Sequence, residues 1–170
     1  MAYFDAVRYA RKLRAMIRFA DELRDLATDP TIKFGCVIFP TDCSSVLGIG
    51  YNGAPAGMAH TRPDIPLDTP GGSGICHAEL NALTKMNTVS APPCILFVHR
   101  TPCMRCAGQI INARKIIGVI HEDPYIDEGA GRDYIKTAGI WTVHRAQIES
   151  IAEGNLSPVT EAILKGWKNV

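Results

Sequence analysis

The sequence predicts a three-layer α/β fold, with helices on both faces of a mixed sheet of mainly five strands. From residue 77 onwards, segments with helical periodicity alternate with short apolar segments, which is typical of a mostly parallel sheet covered by helices. Before them, apolar segments at 33–39 and 45–51 flank the turn Pro40-Thr41-Asp42, which predicts an antiparallel hairpin. The 170 residues, 46% hydrophobic and 21% charged, suit one globular domain, which we expect to span 1–170.

The predicted elements run from an N-terminal helix to a C-terminal one. Residues 2–27 predict an amphipathic helix, because apolar side chains recur at helical spacing until Asp29-Pro30 stops it. Several basic residues lie in its first half. Because acidic residues lie among them, this surface is predicted to be a solvated face and not a phosphate or subunit contact. Residues 54–75 are rich in Pro and Gly and predict a long loop. The later elements are helix 77–87, strand 94–99, helix 102–113, strand 116–121, helix 129–138, strand 140–143 and a C-terminal helix near 157–166.

The composition excludes several classes of protein. A net charge of +1 and a pI of about 7.6 do not favour bulk electrostatic binding to nucleic acid. Six cysteines without a signal peptide indicate a reducing compartment and thiol chemistry, not disulfides. No apolar run approaches the length of a membrane span. We therefore expect a cytoplasmic protein, or one in the host cytoplasm if the source is viral.

The most specific chemical pattern lies between residues 76 and 106. His77 and Glu79 form an H-x-E pair, and Cys103 and Cys106 lie in a P-C-x-x-C segment. One imidazole and two thiolates are three ligands for zinc, and catalytic zinc keeps three protein ligands with a fourth position open. This spacing is also a known signature of zinc nucleobase deaminases. A structural Cys/His knot is the alternative, but it would require a well-placed fourth ligand.

We expect both halves of the motif at helix N-termini. Cys103 and Cys106 are three residues apart and share one helix face, with Thr101 as a plausible N-cap and Pro102 as the first helical residue. The helix dipole at that end favours the thiolate, which is the metal-binding form.

His77 and Glu79 are two residues apart, so both approach one ion only from the first turn of a helix. Because two thiolates offset the charge of Zn²⁺, the water it holds should be less acidic than on a site of three histidines. A general base beside that water makes up the difference. We assign Glu79 this role, as the carrier of protons to the ring nitrogen and to the departing ammonia.

Further motifs carry a resemblance to a known family. Asp29-Pro30 through Lys33-Phe34-Gly35, the segment 48–53 followed by Pro55, the segment 76–82 and the segment 102–107 resemble the motifs of the deoxycytidylate (dCMP) deaminase branch of the zinc-dependent cytidine deaminase superfamily. The resemblance runs from about Asp29 to about Gly139. It implies the three-layer αβα cytidine-deaminase-like fold and the hydrolytic deamination of dCMP to dUMP in pyrimidine deoxynucleotide metabolism.

The resemblance also implies roles for individual residues. The metal ligands would be His77, Cys103 and Cys106, and Glu79 the proton shuttle. Substrate would be held by Asn52, the Ala78 backbone, the peptide at Thr101, and Tyr125. Many members form hexamers and bind dCTP as activator and dTTP as inhibitor, here near Tyr51, Asn52 and Gly53. The phosphate of the substrate needs a cation, for which the candidates are Lys33, Arg62, Arg132 or an N-terminal Arg of a neighbouring subunit.

Some features depart from that family and leave alternatives open. Arg100 replaces a residue that is usually apolar, and Asn52-Gly53 is also a dipeptide that favours a simple tight turn with positive φ. The segment 106–114 resembles tRNA adenosine deaminases, although these usually carry Trp-Asn where this chain has Tyr51-Asn52. Another cytosine nucleoside or nucleotide deaminase of the superfamily is a further alternative.

Overall fold

The computed structural model describes residues 3–29, 32–58, 74–122, 129–155 and 157. One five-stranded sheet forms its centre, in the order β2-β1-β3-β4-β5. Strand β1 is antiparallel to both β2 and β3, whereas β3, β4 and β5 are parallel to one another. The predicted mixed five-stranded sheet, with an antiparallel hairpin before its parallel strands, is confirmed, and β1 alone runs opposite to the other four strands. The strands are β1 Gly35–Pro40, β2 Gly48–Tyr51, β3 Cys94–Val98, β4 Ile116–His121 and β5 Trp141–His144.

Helices cover both faces of this sheet. The helices are α1 Tyr3–Leu23, α2 Ala78–Leu83, α3 Met104–Asn112, α4 Ala130–Thr137 and α5 Arg145–Ala152, and a 3₁₀ turn, Arg24–Leu26, follows α1. Helices α1 and α5 share one buried apolar cluster with the sheet, and α2, α3 and α4 share the other. The three-layer αβα prediction is therefore confirmed.

The two clusters arise from the alternation of side chains along the strands. On β1, Val37 and Phe39 join the cluster of α1 and α5, while Cys36 and Ile38 join the opposite cluster. All four of these side chains are fully buried. A strand that is covered on both faces reads as a continuous apolar run, which is why the sequence at 36–39 has no polar residue.

Helix α2 lies unusually close to β2, and glycine makes this possible. A Cβ atom added at Gly50 would overlap the carbonyl oxygen of Ala78, and one at Gly48 would lie 2.5 Å from that of Ala82. No side chain fits at either position without moving the helix. The contact fixes the start of α2, where His77 and Glu79 lie.

Helix α5 was not predicted. Its start is capped by His144, whose ring nitrogen Nδ1 accepts a hydrogen bond from the Ala146 amide at 3.1 Å, while the Gln147 side chain accepts one from the His144 amide at 3.1 Å. The usual capping residues Ser, Thr, Asp and Asn are absent there, so the sequence lacks the common start signal.

Two further predictions concern the chain ends and the segment 54–75. The C-terminal helix near 157–166 lies outside the described residues except at Ser157, and so does most of the long loop. No helix in the described part of the chain is long and apolar enough to cross a membrane.

Candidate active site

Three potential metal ligands meet where two helices begin. His77 is the N-cap residue of α2, Cys103 is the N-cap of α3, and Cys106 is the third residue of α3. The Nδ1 atom of His77 lies 3.6 Å from the Cys103 Sγ and 3.4 Å from the Cys106 Sγ. All three ligand atoms lie within 4.8 Å of one another. The spacing of these residues in the sequence therefore predicted a cluster that the structure brings together.

The start of α3 differs from the prediction by two residues. Thr101 is not the N-cap, and Pro102 is not helical, because Cys103 still has an extended backbone with φ −68° and ψ 166°. The carbonyl group of Pro102 packs so closely against Gly131 of α4 that a Cβ at Gly131 would overlap it. This close contact with α4 lies at the point where Cys103 is extended and α3 begins.

The donor set and its dimensions fit zinc. Zinc–sulfur bonds of about 2.3 Å and zinc–nitrogen bonds of about 2.0–2.1 Å place tetrahedral ligand atoms roughly 3.5–3.8 Å apart. The His77–sulfur separations of 3.6 and 3.4 Å agree with that spacing. The residues present therefore fit a site with three protein ligands.

The titration behaviour of the cluster reflects the close contact of its members. A hydrogen bond with the Cys106 thiol lowers the pKa of Cys103 to about 3, and the same contact, together with burial, raises the pKa of Cys106. A hydrogen bond with Cys103 raises the pKa of His77. The pair of sulfur atoms thus holds at least one thiolate beside an imidazole, which is an arrangement that attracts a soft cation.

Glu79 adjoins the three ligands without belonging to their cluster. It is the second residue of α2 and is only 6% exposed. Burial raises the pKa of its carboxyl group above the ordinary value. A carboxyl group with a raised pKa in a pocket is suited to exchanging protons with a substrate near neutral pH.

One pocket contains this site and two of the five predicted substrate contacts. Glu79 and two of the three ligands line it, together with Asn52 and Thr101, which are both buried. Its apolar wall consists of Ile32, Phe34, Ile75 and Val98, and Asp29 and Arg100 complete the lining.

The side chain of Asn52 forms two hydrogen bonds to the backbone of the pocket wall. Its side-chain oxygen accepts a hydrogen bond from the Phe34 amide, and its side-chain nitrogen donates one to the Ile32 carbonyl, each at 2.7 Å. The expected tight turn with positive φ at Asn52-Gly53 is wrong, because neither residue has a positive φ. Gly53 is needed instead for close approach, since a Cβ there would overlap the Thr28 hydroxyl.

The residues predicted to bind an effector lie directly beside the metal ligands. Gly53 forms a two-way bridge with Cys76, in which the two amide-to-carbonyl distances are 3.1 and 2.8 Å. The Tyr51 carbonyl accepts a hydrogen bond from the Asn81 side chain of α2 at 2.8 Å. Residues 51–53 are therefore tied to both the residue before His77 and the helix after it.

Other predicted contacts fall elsewhere. Ala78 is buried at the start of α2 but is not among the residues that line the pocket. Lys33 is exposed between two lining residues without lining the pocket itself, and Arg132 pairs with Asp133 at 3.0 Å. Tyr125 and Arg62 lie outside the described residues. Arg100 was flagged only as a departure from a pattern, and its place beside the pocket was not predicted.

A second group of potential metal ligands comprises Asp21, His99 and Glu122. The guanidinium group of Arg145 bridges its two carboxylates, with nitrogen–oxygen distances of 2.7 Å to Asp21 and 2.6 Å to Glu122. His99 is buried, and its Nε2 lies 2.9 Å from the same Asp21 oxygen. This group is an ion-pair network that already contains its cation.

Comparisons with known proteins agree on one family. The family model described as "Cytidine and deoxycytidylate deaminase zinc-binding region" matches residues 10–121. Deoxycytidylate deaminase of Mus musculus is 34% identical over 121 residues, which are 66% of this chain and 67% of that protein, and the Homo sapiens enzyme is 32% identical over the same shares. The crystal structure of dCMP deaminase from the cyanophage S-TIM5, in complex with dCMP and dUMP, superposes with a TM-score of 0.63 and 26% identity, covering 77% of this chain and 94% of that one.

Proposed function

Since the chain belongs to the cytidine and deoxycytidylate deaminase family and is a hydrolytic deaminase, we propose that it converts dCMP to dUMP with Zn²⁺ held by His77, Cys103 and Cys106. The observation that carries this proposal is the cluster of three ligand atoms, two of whose residues line one pocket together with a buried carboxyl group. The whole chain, 1–170, would act as a single deaminase domain.

The chemistry requires a water molecule to attack C4 of the cytosine ring and ammonia to leave. Zn²⁺, when bound, would supply Lewis-acid activation of the water at neutral pH. Glu79 would accept a proton from the attacking water and deliver it to the ring nitrogen N3. It would then carry the second proton to the amino group, so that the C4–N bond breaks, ammonia departs and the C4 carbonyl of uracil remains.

Binding of the nucleotide would use the walls of the same pocket. The base would lie between the apolar side chains Phe34 and Val98, with its polar edge at the Thr101 peptide and the Ala78 backbone. Asn52, which is fixed by hydrogen bonds at both ends of its amide, would offer its remaining donor and acceptor capacity to the sugar. Tyr125 remains a proposed contact from the family resemblance alone.

A panel of substrates tests the proposal. We expect the highest kcat/KM for dCMP among dCMP, CMP, dCTP, deoxycytidine, 5-substituted dCMP and tRNA, with ammonia and dUMP formed in equal amounts. Conversion of adenosine to inosine in tRNA, without turnover of dCMP, would replace the proposal with its alternative. A preference for deoxycytidine would make the chain a nucleoside deaminase.

Regulation by dCTP and dTTP and assembly into a hexamer belong to the same proposal. The bridge between Gly53 and Cys76 supports an effector site at 51–53, because a ligand that orders this segment acts directly on the residue before His77. Typical coupling between two such sites is about 1–3 kcal/mol. A sigmoidal dependence of rate on dCMP that becomes hyperbolic with dCTP would support the effector site, and light scattering would determine the number of subunits.

A further inference from the structure

Arg100 has a place in the pocket that the proposed chemistry does not yet use. It lies two residues after the end of β3 and three residues before the ligand Cys103, so the Cα atoms of Arg100 and Cys103 are at most about 11 Å apart. Its side chain lines the same pocket as His77 and Glu79. Arg100 is exposed, whereas Glu79 is buried, so the guanidinium group marks the outer end of the pocket and the carboxyl group its inner end.

The guanidinium group of Arg100 is held by stacking and not by an acid. Its central carbon lies 5.7 Å from the centroid of the Phe34 ring. Phe34 is itself fixed, because its amide donates a hydrogen bond to Asn52. On the other side, the preceding residue His99 is buried and bonded to the backbone of Gly35 and to Asp21. The backbone before Arg100 is therefore anchored, and its guanidinium group has an aromatic neighbour in the wall of the pocket.

The donors of Arg100 have no protein acceptor in the described part of the chain. The two arginines with the shortest ion pairs there differ from it: Arg145 binds Asp21 and Glu122, and Arg132 binds Asp133. A guanidinium group offers five N–H donors in a planar fork that matches the oxygen atoms of a phosphate. A guanidinium group without a protein acceptor, placed at the outer end of a pocket, is suited to binding an anion.

The charges of the pocket indicate which part of a substrate Arg100 meets. Among the described residues that line it, Arg100 is the one Lys or Arg, and Asp29 and Glu79 are acids. A nucleotide with its base beside Glu79 has its 5′-phosphate at the far end, towards solvent. We propose that Arg100 binds the 5′-phosphate of the substrate and so makes the enzyme prefer a nucleoside monophosphate to a nucleoside, an inference that rests on the proposed function.

The test compares phosphorylated and unphosphorylated ligands in matched variants. Arg100→Leu should lower kcat/KM for dCMP about 10- to 100-fold, the range of one charge-assisted hydrogen-bonded pair, and leave kcat/KM for deoxycytidine within about threefold. Arg100→Lys should keep part of the preference, because it retains the charge without the planar fork. Thermal unfolding of both variants by circular dichroism establishes that they fold.

Two other cations serve as comparisons. Lys85 also stacks on an aromatic ring, 5.5 Å from the centroid of Tyr51, but it does not line the pocket, so Lys85→Leu controls for the loss of a stacked positive charge. Lys33→Leu removes one of the cations that the sequence analysis named as a candidate for the phosphate. A selective loss for dCMP in Lys33→Leu, or an equal loss for dCMP and deoxycytidine in Arg100→Leu, would overturn the inference.

Calorimetric binding of dUMP and deoxyuridine separates this inference from the proposed function. We expect dUMP to bind the parent protein more tightly than deoxyuridine and Arg100→Leu to abolish the difference. If this holds while dCMP is not deaminated, Arg100 binds the phosphate and the proposed function is wrong. If dCMP is deaminated and Arg100→Leu still prefers dUMP to the same extent, the proposed function stands and the role of Arg100 is wrong.

Discussion

Replacing Glu79 with Gln tests the proton carrier with little change in shape. The two side chains have nearly the same size, but the amide cannot take up a proton from water. Glu79 lies in the pocket with His77 and Cys103 and is not one of the clustered ligands. We therefore expect Glu79→Gln to retain its zinc and to lose most of its turnover of dCMP.

The expected loss follows from the number of proton transfers that Glu79 would serve. One general acid–base step is worth about 10²–10⁴-fold, and Glu79 would serve two, so we expect a fall in kcat of at least about 10³-fold. At about 1.36 kcal/mol per factor of ten, this corresponds to a rise of about 4 kcal/mol or more in the activation free energy. The thermal stability of Glu79→Gln should not fall with its activity. Burial raises the pKa of Glu79, so the ionised form is disfavoured in the fold and a neutral amide should keep or raise the Tm.

The assay follows deamination of dCMP by absorbance, with zinc content and Tm measured on the same preparations. Glu22→Gln is the matched control, because Glu22 is an exposed carboxylate on α1 away from the pocket lining. Activity of Glu79→Gln within about tenfold of the parent would refute the role of Glu79. Loss of zinc in Glu79→Gln would also refute it, since Glu79 would then act as a ligand.

Three further variants test the metal site, the packing of α2 and the ion-pair network. We expect elemental analysis to find about one zinc per chain and Cys103→Ala to lose it; a metal-free parent or an unchanged variant would contradict the site. Gly50→Ala should lower the free energy of unfolding, measured in urea, by about 1–3 kcal/mol and should reduce turnover, because the added Cβ overlaps the Ala78 carbonyl. The control Gly108→Ala, where the added Cβ meets open space, should lower neither. Burial raises the pKa of Asp21, but hydrogen bonds with Arg145 and His99 outweigh this effect and lower the pKa overall. The ionised carboxylate therefore stabilises the fold above the unfolded pKa of about 3.9, and this contribution is lost as pH falls through the lower pKa of the folded state. Asp21→Asn should thus cost about 1–3 kcal/mol at pH 7 and progressively less below about pH 4, with exposed Asp25→Asn as its control; a difference that does not depend on pH would contradict this assignment.

The parts of the site that could be predicted from the sequence were those that depend only on the type of residue and on its spacing from the next one. The three-residue separation of Cys103 and Cys106 and the H-x-E pair at His77 and Glu79 depend only on local geometry. The structure clusters the two sulfur atoms with His77, and His77, Glu79 and Cys103 line one pocket. The alternation of helices and strands likewise depends on the periodicity of apolar residues, which can be read directly from the sequence. These features gave the fold class and the ligand cluster correctly.

The parts that could not be predicted depend on contacts between distant segments. The start of α3 moved because Pro102 packs on Gly131, and α5 went unnoticed because a His replaces the usual cap. Lys33 was among the candidate cations for the phosphate and Arg100 was not, because whether a side chain faces a pocket or solvent depends on the three-dimensional arrangement of β1 and β3. No periodicity in a single strand end carries that information.

The position of α2 shows how the sheet, and not the helix itself, determines the geometry of the metal ligands. A helix of six residues is too short to be stable alone, so its location must come from tertiary contacts. Those contacts are with β2 and the residues after it: Gly50 lies against Ala78, the Tyr51 carbonyl binds Asn81, and Gly53 bridges Cys76. His77 and Glu79 are consequently fixed by residues 50–53, which lie on a different element. A change at the end of β2 would therefore reach the ligand and the proposed proton carrier through the residues next to them in the chain, Cys76 and Ala78.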